Sequence, residues 1–447
     1  MALSYEQESL RRYLDVVIVG AGISGLAMAY LLGRAGHKVT VYESGAQVED
    51  AGAGIQLSPN VTRLLLRWEL GEKLKEAGHI PTAFGLRRYD TGELLGWKQL
   101  GTNVEKDYGA PYYHIHRADL HRLLLENARK YATVHFDCPV SAVDASTPSI
   151  TLSSGEVVKA QLVLGADGIH SRVRNVVVGT RDRPIPIGDE SYRSLIPSEL
   201  IAQDPDLKPL LHEGVNNWMG PKKHIVGYCV RQKQLYNIVM VHPSRDRNEV
   251  TREVDPAIMR QDFTEFEPRV QKLLSLVDST MVWSLMDRKS LDKWVHDEGK
   301  VCLVGDACHP MLPYRAQGAA MALEDAAVLG KLLANITHNS DVPSLLRAYQ
   351  EIRLPRTDIV QQEARMNRTI FHMEDGPDQE RRDRSMKQAM EVALQEAQEG
   401  EKGADCAGTE NLWGDRKRTD NVFGYDADAA VDQWMKMNHL GSPQVRL

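Results

Sequence analysis

Val16-Val17-Ile18-Val19-Gly20-Ala21-Gly22-Ile23-Ser24-Gly25 runs from a β-branched tetrad into three closely spaced glycines. The β-branched run suits a buried parallel strand, and residues 26–35 beyond the glycines have the composition of a helix. Strand, tight turn and helix in that order open a doubly wound α/β lobe. Gly20 permits the turn, Gly22 lets backbone approach a pyrophosphate, and Gly25 lets helix close on strand. Ser24 stands in the same loop, where the helix N-terminus offers N–H groups and positive dipole to an anion. Lys38 to Tyr42 reads as the second strand, and Glu43 ends it about 20 residues beyond the glycines, where an acid accepts hydrogen bonds from a ribose. That acid suits an adenosine without a 2′-phosphate.

Two later stretches extend the cradle. Residues 301–304 form a strand that delivers Gly305-Asp306, and a carboxylate there can accept hydrogen bonds from ribityl hydroxyls. Asp167-Gly168 ends another strand between the two motifs. The loop Pro310 to Pro313 is stiff because proline fixes φ. The helix from Gln317 to Leu333 is apolar on nearly every side, hence buried, and Gln317, Gly318 and Ala319 at its start aim N–H groups at a ring that becomes negative on reduction. Together the loops indicate FAD. With one nucleotide fingerprint, NAD(P)H is expected only as a transient donor.

The chain has 447 residues and a net charge of −7 with both signs mixed, which argues for more than one lobe and against a nucleic-acid groove. No stretch of 18 apolar residues occurs, and no apolar segment precedes the first strand, so the expectation is a cytoplasmic protein without membrane contact. Its five cysteines lack metal-ligand spacing, and no metal is expected. The spacing predicts an α/β fold in which a Rossmann-like FAD-binding domain is interrupted by a mixed or antiparallel β-sheet substrate domain. The first domain comprises 1–75, 101–180 and 286–373, the second 76–100 and 181–285, and a helical and irregular extension covers 374–447. Residues 157–160 and 161–166 both read as strands of the nucleotide lobe, and His114 to Leu120 as the start of a helix on which Arg117 could reach cofactor phosphate.

The ordered motifs, above all Gly305-Asp306-Ala307-Cys308-His309-Pro310 running to Ala326, resemble the single-component FAD-dependent aromatic hydroxylases, in their salicylate hydroxylase-like branch. Many relatives carry Gly where Ala316 stands and Asn where Ala320 stands. The resemblance implies a monooxygenase that uses NAD(P)H and O2 to hydroxylate a phenolic or salicylate-like ring through a flavin C4a-hydroperoxide. It also implies that Asp167 and Arg174 help bind pyrophosphate and admit the donor.

A phenol becomes a good nucleophile once its proton is withdrawn, so a base is required near the ring. In His224-Ile225-Val226-Gly227-Tyr228 the strand period of two places His224 and Tyr228 on one face, about 13 Å apart at the α-carbons. Some hydroxybenzoate and hydroxynicotinate hydroxylases resemble this strand. His224 is the candidate base and Tyr228 the positioning group, while Met311, Pro313 and Tyr314 are candidates for the substrate pocket. Arg231 lies on the opposite face and is expected to be structural. The alternatives left open are hydroxylative dearomatisation of a polyketide phenol, a flavin-dependent halogenase or dehydrogenase, and a non-catalytic FAD-binding module. The aromatic residues of the tail are compatible with wrapping the lobes or with a homodimer.

Overall fold

The computed structural model describes residues 12–47, 53–245, 251–334, 336–399, 406 and 408–438. The segment ahead of residue 12, read above as lacking an apolar leader, lies outside them. A five-stranded parallel sheet forms the first lobe, in the spatial order Val301–Leu303, Leu162–Gly165, Asp15–Val19, Lys38–Tyr42, Ala132–His135. The early and late glycine motifs therefore leave the same end of the sheet from the two strands that flank Leu162–Gly165. A Cβ on Gly305 would lie 2.7 Å from Ser24 Oγ, so the two loops touch. Helices Ile23–Arg34 and Gly318–Leu333 pack against each other beside this sheet, in one continuous apolar core.

Two sequence expectations change here. Val157–Lys159 joins a small antiparallel sheet with Val140–Asp144 and Ser149–Leu152 instead of the parallel sheet. Its side chains are exposed or half-buried, whereas Leu162–Gly165 is buried throughout, and only the latter fits between two strands of a covered sheet. Tyr113–His116 is a strand paired with Gly54–Leu57, and the helix begins only at Arg117.

An eight-stranded sheet forms the roof. Its order is Thr251–Val254, Thr280–Asp287, Ile185–Pro197, Leu235–Pro243, Lys223–Val230, Val215–Gly220, Ala83–Arg88, Leu94–Gln99. All pairs are antiparallel except Val215–Gly220 with Ala83–Arg88, so the sheet is mixed. Period-two alternation divides its faces. Ile225, Tyr236, Ile238 and Met240 enter a core with Phe263 and Leu273 on the outer side, while Tyr228, Val226 and Val239 turn toward the first lobe.

Helix Val342–Phe371 crosses from one lobe to the other, followed by Pro377–Glu399, Arg416–Phe423 and Ala427–Met437. Within this extension, Pro377–Glu399 packs on strand Leu94–Gln99, and Ala427–Met437 on helix Gly318–Leu333. That last helix is buried, yet it carries two buried carboxylates. Glu324 and Asp325 are neutralised by Arg353 at 2.5 and 2.8 Å, and Arg356 adds a bond to Glu324 at 3.0 Å. Removing any one partner would strand a charge in a dry interior, at a cost of about 3–5 kcal/mol. Among the described residues, no helix is long and apolar enough to cross a membrane.

Candidate active site

The cradle is made mostly of backbone. Gly20 has φ +101°, and a Cβ there would sit 2.4 Å from the Ala166 carbonyl oxygen. A Cβ on Gly25 would lie 2.0 Å from the Gly20 oxygen. A Cβ on Gly22 would meet nothing within 4 Å, so open space lies beside a helix N-terminus that no side chain caps. Such an N-terminus is suited to a pyrophosphate. Glu43 closes the adjacent corner, its carboxylate accepting from the Ala21 N–H at 2.7 Å and the Gly45 N–H at 2.8 Å. Asp306 is exposed although the residues on both sides of it are buried. Desolvation by the surrounding protein raises its carboxyl above the usual range, opposed by the charges of His309 and Arg117. Arg117 is itself exposed, with its N–H bound to the Ala53 oxygen at 3.1 Å. Open acceptors, a basic side chain and an uncapped helix start are what the two ends of FAD require, and the donor set fits that group.

Some motif residues are committed elsewhere. The Asp167 carboxylate caps the helix Arg172–Val178, accepting from Ser171 Oγ at 2.5 Å and the Arg172 N–H at 2.7 Å. Arg174 is buried, its Nε donates to Asp182 at 2.6 Å, and its Nη1 donates to the carbonyls of Ala307 and Cys308. The expectation that Arg174 meets pyrophosphate gives way to a brace under the Gly305 loop. Asp325 does the same from the other side, accepting from the Gly305 N–H at 2.9 Å and bound to His309 Nε2 at 2.6 Å. Cys308, His309 and Asp325 cluster closely enough to suggest a metal, but the carboxylate is already saturated by Arg353, His309 and Gly305. The Gln317 side chain donates to Ser58 Oγ at 2.8 Å, leaving backbone at the helix start, with Gly318 and Ala319, to face a ring.

Below the roof is a cavity of about 330 Å³. It brings together His224, Tyr228, Met311, Pro313, Tyr314, Gly318 and Ala319 from the sequence reading. His224 is buried, with its ring centroid 5.2 Å from that of Tyr314 and 5.4 Å from that of Phe371. Its Nδ1 lies 2.8 Å from Nε2 of His372. Burial, reinforced by the charge of His372, pushes the His224 pKa well below the ordinary imidazole value. His372 is held down to about 4, mainly by desolvation and against the pull of Asp189. Asp189 lies 3.9 Å from His372 Nδ1 and accepts from Tyr314 OH at 2.6 Å and Arg368 Nε at 2.5 Å. Tyr228 packs over Gly54, where a Cβ would lie 2.6 Å from its ring, and burial raises its phenol so that it stays protonated. Arg231 pairs with Asp119 at 2.7 Å, on the far side from His224.

Sequence reasoning missed Arg193, His372, Phe371 and Trp413. Arg193 is in register with Val239, which is in register with Val226, and this row places its guanidinium on the cavity between the levels of His224 and Tyr228. It stacks over Trp283 at 4.9 Å, and its Nε reaches Ser191 Oγ at 3.4 Å. Among the described residues no carboxylate pairs with it, and desolvation works against its charge. The register row that carries it depends on a pairing across three strands, which spacing within one strand does not reveal.

A model of the FAD binding domain family matches residues 13–364, so Phe371, His372 and Trp413 lie beyond the matched part. The FAD-dependent monooxygenase OpS4 of Beauveria bassiana (strain ARSEF 2860) is 36% identical over 435 residues, covering 95% of this chain and 98% of the other. The 3-amino-4-hydroxybenzoate 2-monooxygenase PtmB3 of Streptomyces platensis is 37% identical over 375 residues, 83% of this chain and 92% of its own. Among solved structures, a salicylate hydroxylase substrate complex superposes with a TM-score of 0.74 at 24% identity, covering 97% of this chain and 99% of that one, which establishes likeness of fold.

Proposed function

Because the chain belongs to the FAD-dependent aromatic monooxygenases, we propose that it hydroxylates a single phenolic ring bearing a carboxylate, of the salicylate or hydroxybenzoate kind, with NAD(P)H and O2 as co-substrates. One observation carries the reading: a half-buried guanidinium, paired with no carboxylate among the described residues, and a neutral histidine face the same small aromatic cavity at the start of helix Gly318–Leu333. Desolvation works against the charge of this cation, and a ring carboxylate supplies a partner for it.

When bound, FAD supplies the exchange of two electrons with the donor and the activation of oxygen. In the proposed arrangement Gly20, Gly22, Ser24 and Gly25 hold the pyrophosphate, Glu43 the adenosine ribose, and Asp306 the ribityl chain. Arg117 lies beside them, and Gln317, Gly318 and Ala319 present N–H groups to the ring end. Residues 1–75, 101–180 and 286–373 then serve the cofactor, 76–100 and 181–285 the substrate. Met311, Pro313 and Tyr314 form the wall between the two.

His224 takes the phenol proton. Its Nδ1 faces His372, so Nε2 is the atom left for substrate. As Nε2 accepts the proton, Nδ1–H can pass its own to His372 Nε2, which delivers charge toward Asp189. Tyr228, held protonated, donates a hydrogen bond and orients the ring. Withdrawing the proton raises electron density ortho and para to the oxygen, where an electrophilic oxygen attacks.

The test is NADH or NADPH oxidation under air with a panel of hydroxybenzoates and uncharged phenols. The reading requires stimulation by ring carboxylates well above that by phenols of equal size. Equal stimulation by both, or none by either, contradicts it.

A further inference from the structure

The extension beyond helix Val342–Phe371 places one large aromatic side chain in the cavity. Trp413 is buried, with its ring stacked on Phe84 at 4.4 Å and 15° and on Phe371 at 6.2 Å and 13°. The Arg315 guanidinium lies 4.7 Å from its centroid, and Arg315 and the extension's Arg418 both bind Glu363, at 3.0 and 3.1 Å. The backbone around it is fixed as well. The Trp413 N–H donates to Asn411 Oδ1 at 3.2 Å, and Thr419 Oγ1 donates to the Trp413 carbonyl at 3.2 Å. Beyond it, Arg356 Nη1 donates to the Asn421 carbonyl at 2.6 Å and Arg67 pairs with Asp426 at 2.6 Å, so the segment is tied to the FAD-binding lobe within helix Arg416–Phe423 and just after it.

Position gives this indole a second property. Trp413 lines the 330 Å³ cavity, while its neighbour Gly414 lines a separate cavity of about 390 Å³ between Trp97, Lys98 and helix Pro377–Glu399. The segment is thus a partition between two spaces, and the indole is its face toward the substrate side. A cavity of 330 Å³ lies at the small end of ligand pockets, which span about 300–1,000 Å³.

We propose that Trp413, delivered by the C-terminal extension, is a specificity-determining wall that limits the pocket to one-ring substrates. The proposal deepens the reading above and rests on it. Replacing the indole by a smaller side chain opens the partition toward the second cavity, so that a two-ring hydroxy acid gains the space that excluded it.

The experiment measures the Kd of salicylate and of 1-hydroxy-2-naphthoate from their perturbation of flavin absorbance in the FAD-loaded wild type, Trp413→Ala and Trp413→Phe. This readout needs no turnover. In the wild type salicylate should bind at least 10-fold more tightly than the naphthoate. In Trp413→Ala the ratio should fall by 10-fold or more, with FAD retained, and Trp413→Phe should stay near the wild type. Should Trp413→Ala lose FAD, Trp413→Leu carries the same expectation. A ratio unchanged in the folded small-residue variant overturns the wall while leaving the aromatic carboxylate reading standing. Absence of any perturbation by either acid in the wild type brings down that reading, and the size filter with it.

Discussion

The cradle and the roof solve recognition in opposite ways. In the cradle the groups that matter are backbone N–H and the absence of side chains, as at Gly20 and Gly25, where a single added carbon meets a carbonyl oxygen. In the roof cavity the groups that distinguish one ligand from another are side chains, drawn from strands at Arg193, His224 and Val239, the loop at Met311 and the extension at Trp413. A backbone site admits few changes and binds one universal cofactor. A side-chain site assembled from distant segments can change substrate without disturbing the fold.

The sharpest break of this contrast is in the cradle. Gly25→Ala should yield protein that does not retain FAD, since the new methyl collides with rigid backbone; absorbance near 450 nm after purification checks it, and a yellow variant would show the contact to be soft. In the roof, His224→Ala should keep FAD and lose about 10²–10⁴-fold in kcat, the usual share of general base catalysis, as read by steady-state oxygen uptake. Turnover within 3-fold of the wild type would remove His224 from the mechanism. Arg193→Leu should raise KM for a hydroxybenzoate by about 10–100-fold with little effect on the matching uncharged phenol, equivalent to about 1.5–3 kcal/mol for a charged hydrogen bond. An equal loss for both ligands would make Arg193 a structural residue.

The smallest effect concerns pH. His224 and His372 are held neutral by burial, His372 with a pKa of about 4. Because both lie below the unfolded value near 6.5, the native state is favoured by the neutral forms above that pH. The advantage is lost as pH falls from 6.5 toward 4. From pH 7.5 to 5, His372 alone should cost about 2 kcal/mol of stability, visible in urea midpoints and reduced in His372→Gln. The acid limb of kcat/KM should correspondingly lie well below the ordinary imidazole value, and a limb centred at 6.5 would show the pair to be solvated.

What could be read from sequence follows the same division. Gly20, Gly22, Gly25, Glu43 and Asp306 are legible because turn chemistry is local, and the strands that precede them lie side by side or one strand apart in the parallel sheet. His224 and Tyr228 were readable as a pair because strand period is local too. Arg193 depends on register between three strands, His372 on where a 30-residue helix ends, and Trp413 on how an extension folds back. Asp167 and Arg174 carry contacts that their motif does not reveal: their side chains are bound within the protein, to the Arg172 N–H and to Asp182. Strand Val157–Lys159 was misassigned because three β-branched and basic residues look alike in either kind of sheet.

In the proposed function the roof cavity turns a phenolic carboxylate toward bound FAD for oxygen insertion. Turnover of hydroxybenzoates with NADH or NADPH under 18O2, followed by mass spectrometry of the product, distinguishes this from uncoupled oxidation. One labelled oxygen should enter the ring, ortho or para to the original hydroxyl, for each donor consumed at the best substrate. Donor consumption that yields only labelled peroxide with every hydroxybenzoate would contradict it.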